Sequence, residues 1–468
     1  MRQAVNVGFI SLGCPKNTVD TEEMMGHLAA SGNYRIVSQA GEADVLVINT
    51  CGFIEAAKRE SIETIIEMAR HKDSGGRCRA LVVTGCLAQR YGDELAREIP
   101  EIDVVLGVDA WSSLDGAIDR ALRGGSAGAS GLAARPAYDL SRRPKRLVST
   151  ARHSAYLRIA EGCDYRCRFC IIPQLRGPFR SRPPKDLLVE AAALVEGGAR
   201  ELVLVAQDTA YYGHDLAGGR GATQRGIHDL PSLLRALSEL DGLDWLRVLY
   251  VYPTRLNARM LEEMAAARKF VPYFDLPVQH GSDRVLKAMG RLGGSREVLS
   301  AIRQIRTVFP DACLRASLMV GFPGEGEKEF SELLQFMRTV RFDRVGVFRY
   351  SREEGTPAAE MPGQVPEDVK EDRYRRAMAL QAGLSKDANK AWVGRKLDVL
   401  VDSELAPEPG PVRRLAGRSF REAPEIDGKI LLFDIASDQE RPVVPGEIVR
   451  ATVLDAGSYD TFAEVESR

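Results

Sequence analysis

The chain has almost no charge imbalance, few cysteines for its length and no long apolar run, and each shortage removes a class of protein. Lys and Arg number 64 against 65 Asp and Glu, a formal net charge of -1 over 468 residues. No bulk attraction to nucleic acid or an anionic membrane is expected, and any such partner would need a local patch. No apolar stretch approaches the roughly 18 residues of a membrane span; the apolar segments are of strand length, such as Val45 to Ile48. The opening MRQAVNVGFISLGC places Leu12-Gly13-Cys14 where a lipoprotein signal would end, but Asn6 interrupts the apolar run and leaves too little of a hydrophobic region for one. Eight cysteines are few for a disulfide scaffold, and a chain long enough for about two to four domains does not need one. The expected compartment is the reducing cytoplasm, where clustered thiols are more often metal ligands or catalytic groups.

What is present is a repeated alternation of strands and helices. From Val5 to about Arg123, strands are expected at Val5 to Leu12, Ala43 to Ile48, Ala80 to Val83 and Val104 to Val108, with helices such as Thr21 to Ala30 and Ile54 to Arg70 between them. This is a parallel α/β layout. GGSAGASGLAARP (Gly124 to Pro136) and the basic run Ser141 to Arg146 read as a flexible, solvated connector. A second alternation follows, with strands near Tyr156 to Ile159, Glu201 to Ala206, Trp245 to Val251, Tyr273 to Pro277, Leu314 to Val320 and Arg344 to Tyr350. Helical windows at Leu187 to Glu196, Ser232 to Glu239, Arg296 to Val308 and Glu327 to Val340 separate them. Six βα units predict a partial (β/α)6 barrel. After a charged helix at Glu367 to Lys390, strand-like segments at Leu397 to Val401, Lys429 to Phe433 and Glu447 to Val453 predict a small antiparallel barrel. The expected domains are thus 1–123, a connector over 124–150, a barrel over 151–390 and a β-domain over 391–468, an α/β protein overall.

The segment EGCDYRCRFCIIP places Cys163, Cys167 and Cys170 in a CxxxCxxC spacing directly after the first strand of the second domain. Three thiolates this close can ligate three irons of a 4Fe-4S cube and leave one iron open, whereas electron-transfer clusters usually recruit four cysteines. Small buried thiols or half of a zinc site are the alternatives. Zinc would want a fourth Cys or His nearby, and His153 precedes the loop by ten residues across a strand.

Parallel barrels hold ligands at the C-terminal ends of their strands. Gln207-Asp208-Thr209 follows the second strand, Gln279-His280 the fourth, and Gly321 to Glu325 the fifth. Gly321 and Gly324 would let backbone approach a ligand closely, and Arg315 could pair with a ligand carboxylate. A glycine turn alone is usually just a turn, and a lone His280 is usually a hydrogen-bonded wall residue.

Cys14, Cys51 and Cys86 lie far apart in sequence, yet each directly follows an apolar strand: ISLGC, VINTC, VVTGC. Parallel strands joined by crossover helices end on one edge, where open α/β sheets bind ligands, so these three thiols are expected to converge. Three unrelated cysteines that happen to end strands is the alternative. Cys78 and Cys313 have no such placement and read as buried small hydrophobes.

The CxxxCxxC spacing with Phe169 before the last cysteine resembles the radical S-adenosylmethionine superfamily. The resemblance implies that an open iron binds the amino and carboxylate groups of S-adenosylmethionine, which is split to methionine and a 5'-deoxyadenosyl radical that abstracts hydrogen from an unactivated carbon. With the cysteine triplet of an N-terminal α/β domain ahead of it and a small β-domain behind, the whole chain resembles the methylthiotransferase family, in which the tail is called a TRAM domain. That family implies a second 4Fe-4S cluster on Cys14, Cys51 and Cys86, about eight irons in all, and a C–H bond converted to C–S–CH3. SLGCPKN, AEGCDYRCRFCIIP with LRG, AQDTAYYG, DLPVQH and DRVGVFRYSREEGT look like the branch acting on an aspartate β-carbon of ribosomal protein S twelve. The other branch acts on adenosine in transfer RNA, and a non-enzymatic iron-sulfur carrier or RNA-binding sensor is the alternative of another class. Between residues 390 and 468 there are 11 Lys and Arg against 15 Asp and Glu, a net charge of -4, which suits a basic protein better than phosphates. The partners implied are that ribosomal protein and a low-potential electron donor, with no membrane.

Overall fold

The structure is a computed structural model that describes residues 4–73, 75–108, 110–124, 128–130, 146–216, 226–406, 412–434 and 441–466. Two compact units emerge, the first made of residues 1–149, 158–183 and 351–359, the second of 150–157, 184–350 and 360–468.

In the first unit, strands β1 (Val5–Ser11), β2 (Tyr34–Val37), β3 (Val45–Thr50), β4 (Ala80–Gly85), β5 (Val104–Leu106) and β6 (Gly128–Ser130) form a parallel sheet of order β2-β1-β3-β4-β5-β6. Helices α1 (Pro15–Ala30), α2 (Glu55–Ala69), α3 (Cys86–Glu98) and α4 (Leu114–Leu122) cover its faces. β3 and β4 are buried along their whole length, which is why their sequences are apolar runs rather than alternations. Val47 and Val82 pack toward α1 and α4, while Ile48 and Val83 pack toward α2 and α3.

Two expectations need correction here. Most of the connector lies outside the described residues, but Gly128–Ser130 pairs in parallel with β5 as a sixth strand. Arg146, read as solvated, is buried and ion-paired at 2.5 Å with the fully buried Glu22 of α1. The short strands β8 (Ala160–Glu161) and β9 (Arg180–Ser181) pair antiparallel and frame α5 (Ile172–Arg176).

The second sheet has the order β14-β13-β12-β11-β10-β7, with β7 (Ser154–Arg158), β10 (Glu201–Val205), β11 (Trp245–Val248), β12 (Phe270–Gln279), β13 (Cys313–Val320) and β14 (Arg344–Arg349). Spatial order follows chain order because helices α6 (Pro184–Glu196), α7 (Leu230–Ser238), α8 (Ala258–Ala265), α9 (Asp283–Ala288), α10 (Ser295–Val308) and α11 (Glu327–Val340) carry the crossovers. The sheet stays open, as expected of six units. Helix α12 (Glu367–Lys390) leads to a closed barrel of β15 (Lys396–Glu404), β16 (Arg413–Arg418), β17 (Ile430–Asp434), β18 (Ile448–Ala456) and β19 (Thr461–Val465). That barrel is not wholly antiparallel: β17 and β19 run parallel. Val399, Leu415, Ile430, Val449 and Ala463 fill it, with Trp392 at one end.

Candidate functional site

Strands β1, β3 and β4 are neighbours in the first sheet, and their pairing matches Ser11 to Asn49 and Thr50 to Gly85. Cys51 and Cys86 therefore leave adjacent strands at the same level. Cys14 follows β1 after two residues and caps α1, where Pro15 supplies the fixed φ suited to a first helical position. Gly13 holds φ +97°, and a Cβ there would lie 2.8 Å from Cys51 Cβ and 3.0 Å from its sulfur. The Cys14 turn thus presses on Cys51, and only glycine fits between them.

Side-chain amides fix this edge. Asn17 donates to the carbonyls of Leu12 at 2.8 Å and Thr50 at 3.1 Å, and Asn49 donates to Asn17 O at 2.9 Å. The Cys51 N–H donates to Ser61 Oγ, whose hydroxyl donates back to Cys51 O, both at 3.0 Å. Burial pushes the Cys51 thiol up to about 12, with the nearby Cys86 and Cys14 sulfurs adding to the effect. Burial likewise raises Cys86. Three thiols that sense one another on one sheet edge are the donor set an iron-sulfur cube takes. Among the described residues no three His, Cys, Asp or Glu side chains close around a single ion, but a cube needs no such point because each thiolate binds a different iron.

The loop of Cys163, Cys167 and Cys170 belongs to the same compact unit. Its turn is held by Cys163 N–H donating to Gly177 O and Cys170 N–H donating to Cys167 O, both at 3.1 Å, and by Phe179 N–H donating to Asp164 at 3.0 Å. All three cysteines are half-buried. Ile171 and Leu175, which follow Cys170, pack against Cys86, Val108 and Phe53, so the turn after Cys170 builds the apolar wall beside Cys86. His153, a conceivable fourth zinc ligand, is instead 3.0 Å from Asp402 of the closed barrel.

Beneath the triplets lies a buried ionic network that sequence reasoning missed. Glu161, fully buried, accepts from Arg158 and Arg176, each at 3.1 Å. Arg158 also meets Asp20 and, at 2.6 Å, Glu23 of α1, while Arg176 donates to Asn17 at 2.6 Å and Asp20 at 2.9 Å. A second network straps the segment 351–359 to the same unit. Glu353 is 2.7 Å from Arg90 and 3.0 Å from Lys58, and Arg90 donates to Gly52 O beside Cys51. On the other side of that segment, Ala358 N–H donates to Arg168 O within the three-cysteine loop. The motifs LRG and YSREEGT were the available signals for these residues.

In the second unit the strand exits carry the expected polar groups, with different employments. Asp208 accepts from Ala210 N–H at 3.1 Å, and Thr209 donates to Leu249 O at 2.8 Å, so both tie the β10 exit to its surroundings. His280 is fully buried and accepts from Ser282 N–H at 3.0 Å, as a wall residue does. Gln279 keeps a left-handed φ of +76°, a conformation that non-glycine residues hold only where their surroundings impose it. Arg315 is the third residue of β13, at its entry rather than its exit, and pairs with Asp275 at 2.7 Å and Asp427 at 3.6 Å. Gly321 has φ +76°, Lys370 fills the space a Cβ would take, and its N–H donates to Glu325 at 2.7 Å. Gly324 faces Gly363, to whose carbonyl it donates at 2.8 Å. Both glycines thus accommodate the chain itself.

Comparison with known proteins agrees with this layout. The family described as Uncharacterized protein family UPF0004 matches residues 6–107, the Radical SAM superfamily residues 157–337 and the TRAM domain residues 393–465. The ribosomal protein uS12 methylthiotransferase RimO of Desulforamulus reducens is 44% identical over 460 residues, covering 98% of this chain and 99% of that one. The protein of the same name from Anaeromyxobacter sp. (strain K) is 46% identical over 466 residues, covering 99% and 94%. Among solved structures, the radical S-adenosylmethionine methyltransferase TsrM of Kitasatospora setae shares the fold at a TM-score of 0.56 and 15% identity, over 76% of this chain and 77% of that one. No helix among the described residues is long and apolar enough to cross a membrane. With near-full-length identity at this level and all three parts in order, the chain belongs to the family of the ribosomal protein uS12 methylthiotransferases, built on a radical S-adenosylmethionine domain.

Proposed function

We propose that this chain transfers a methylthio group to the β-carbon of an aspartate in ribosomal protein uS12, in the cytoplasm, with one 4Fe-4S cluster on Cys163, Cys167 and Cys170 and a second on Cys14, Cys51 and Cys86. The observation that carries this reading is the delivery of Cys14, Cys51 and Cys86 by three adjacent strands to one edge, with Cys86 packed against the residues that follow Cys170. When bound, the clusters and S-adenosylmethionine would supply a carbon-centred radical and the sulfur of the new C–S bond.

The chain's own residues supply placement. Gly13 and Asn17 fix the Cys14 turn on Cys51, and Ser61 pins the Cys51 backbone. Phe169 of the three-cysteine loop, with Gln207, Asp208, Thr209, Gln279, Arg315, Gly321 and Gly324, forms the set proposed to meet the cosubstrate. The domain limits proposed are 1–123, a connector over 124–150, 151–390 and 391–468, with Gly128–Ser130 reassigned to the first sheet. The net charge of -4 over residues 390–468 supports a basic protein substrate over RNA.

The test replaces each triplet with alanine. Loss of Cys163, Cys167 and Cys170 should abolish cleavage of S-adenosylmethionine. Loss of Cys14, Cys51 and Cys86 should lower iron from about eight to about four per chain and leave cleavage intact while ending methylthio transfer to the ribosomal protein, read by mass spectrometry. Full methylthio product from the second variant would overturn the assignment.

A further inference from the structure

The segment 351–359 is a closed loop that grips both cysteine-bearing parts of the first unit. Its shape is fixed from within: Arg352 Nε donates to Ala359 O at 2.8 Å, and Thr356 Oγ1 donates to Glu353 O at 2.6 Å. Towards the sheet edge it is clasped by Glu353, whose buried carboxylate meets Arg90 of α3 at 2.7 Å and Lys58 of α2 at 3.0 Å and accepts from Ser351 Oγ at 2.5 Å. The planar guanidinium of Arg90 is a rigid fork. One of its nitrogens serves Glu353 and, at 3.1 Å, the Gly52 carbonyl next to Cys51, and the other donates to Glu354 O at 2.6 Å. A Cβ on Gly52 would come within 2.8 Å of the Leu87 backbone, so a hold on Gly52 is a hold on the turns of both Cys51 and Cys86. Towards the three-cysteine loop, the Gly355 carbonyl accepts from Gln174 of α5 at 3.0 Å, and Ala358 N–H donates to Arg168 O at 2.9 Å. Two consecutive carbonyls, those of Glu354 and Gly355, are thus tied to the two sets of cysteines, one through Arg90 and one through Gln174.

We propose that the segment 351–359 sets the spacing between the edge carrying Cys51 and Cys86 and the loop of Cys163, Cys167 and Cys170, with Glu353 as the positioning residue that holds it. The inference rests on the two-cluster reading above. Glu353 acts through Arg90 and Lys58 on the backbone, so it governs where sulfur and radical meet rather than whether either is made. Removing its carboxylate leaves two buried cations without their shared partner, and a misplacement of ~1 Å between reacting groups can cost about a hundredfold in rate. A substrate carbon opened out of reach of the sulfur gives cleavage of S-adenosylmethionine without product.

The test compares the full-length parent with E353A and E353Q after anaerobic reconstitution. In E353A the methylthio product on the ribosomal protein per 5'-deoxyadenosine released should fall about tenfold, with about eight irons still bound. E353Q, which keeps an acceptor for Arg90 and Ser351, should fall less. In the cluster-free chains, amide exchange read by mass spectrometry should quicken about tenfold in residues 351–359 and 163–174 of E353A and keep the parent's rate in β3 and β4. An unchanged product ratio overturns the proposal. So does exchange over 163–174 that matches the parent's, because the segment then does not hold that loop. A general loss of stability would instead quicken β3 and β4 and lower iron, cleavage and product together; Q174A, which cuts only the tie to Gly355, then decides by the same ratio, a fall supporting the proposal and an unchanged ratio overturning it. A parent that binds only about four irons, or yields no methylthio product, overturns the two-cluster reading instead, and the proposal with it.

Discussion

Two buried glutamates, each clasped by two arginines, lie in the two units and serve different ends. Glu161 in the first unit joins Arg158 and Arg176 to the acids of α1 beside the cysteines. Glu201 in the second unit accepts from Arg247 at 2.8 Å and from Arg418 of β16 at 2.7 Å, and Arg418 grips Asp402 at 2.8 and 2.9 Å. Arg247 donates in turn to the carbonyls of Phe420 at 2.7 Å and Ser419 at 3.0 Å. The second network welds the closed barrel to the entry side of the open sheet. The first ties α1, which Cys14 caps, to the residues on either side of the three-cysteine loop. The same chemistry thus joins a barrel to a sheet in one place and braces the elements that carry the cysteines in the other.

The comparison can be broken by removing each glutamate. Glu201→Ala should destabilise the second unit by about 3–5 kcal/mol in denaturant melts, because two buried guanidiniums lose their shared partner; iron bound by the reconstituted chain should not change. Glu161→Gln should cost less, because Asp20 and Glu23 remain, yet lower iron content. Equal iron loss in both variants would erase the distinction.

Acid sharpens it further. Burial alone would raise the Glu201 carboxyl, but Arg418 and Arg247 more than offset this and hold it at about 2, below the ordinary 4.5. Its contribution is therefore complete above pH about 4.5 and is lost as pH falls toward about 2. Thermal melts across that window should show a steep acid limb that Glu201→Gln flattens. The smallest effect concerns the cysteine edge alone. Gly13→Ala adds a Cβ against Cys51 in a left-handed conformation, a strain of about 1–3 kcal/mol, and should slow cluster reconstitution while leaving the acid limb intact.

Much of this was legible beforehand, for a definable reason. The β1, β3 and β4 strands announce themselves as apolar runs because both faces are buried, and each ends on its cysteine. The three-cysteine loop is legible because its spacing is local. Helix α1 is the counterexample. Lys16, Asn17, Asp20, Glu22 and Glu23 are all buried, although charged side chains ordinarily mark a solvated face. Nothing in that run reveals that Arg158, Arg176 and Arg146 come from more than a hundred residues away to meet it. The acid partners of Arg315 were hidden for the related reason that its position along β13, and the acids awaiting it, depend on where the strand begins.

The sequence by itself determined the order of elements, the open parallel sheet, the local cysteine loop and the strand-end placement of Cys14, Cys51 and Cys86, because periodicity and spacing are properties of nearby residues. Only the tertiary structure decided which charges are buried, which glycines serve the chain's own packing and which arginines meet the acids of α1. Those outcomes are set by pairings between distant segments, where desolvation makes an ionic partner mandatory and the chain topology chooses which one arrives.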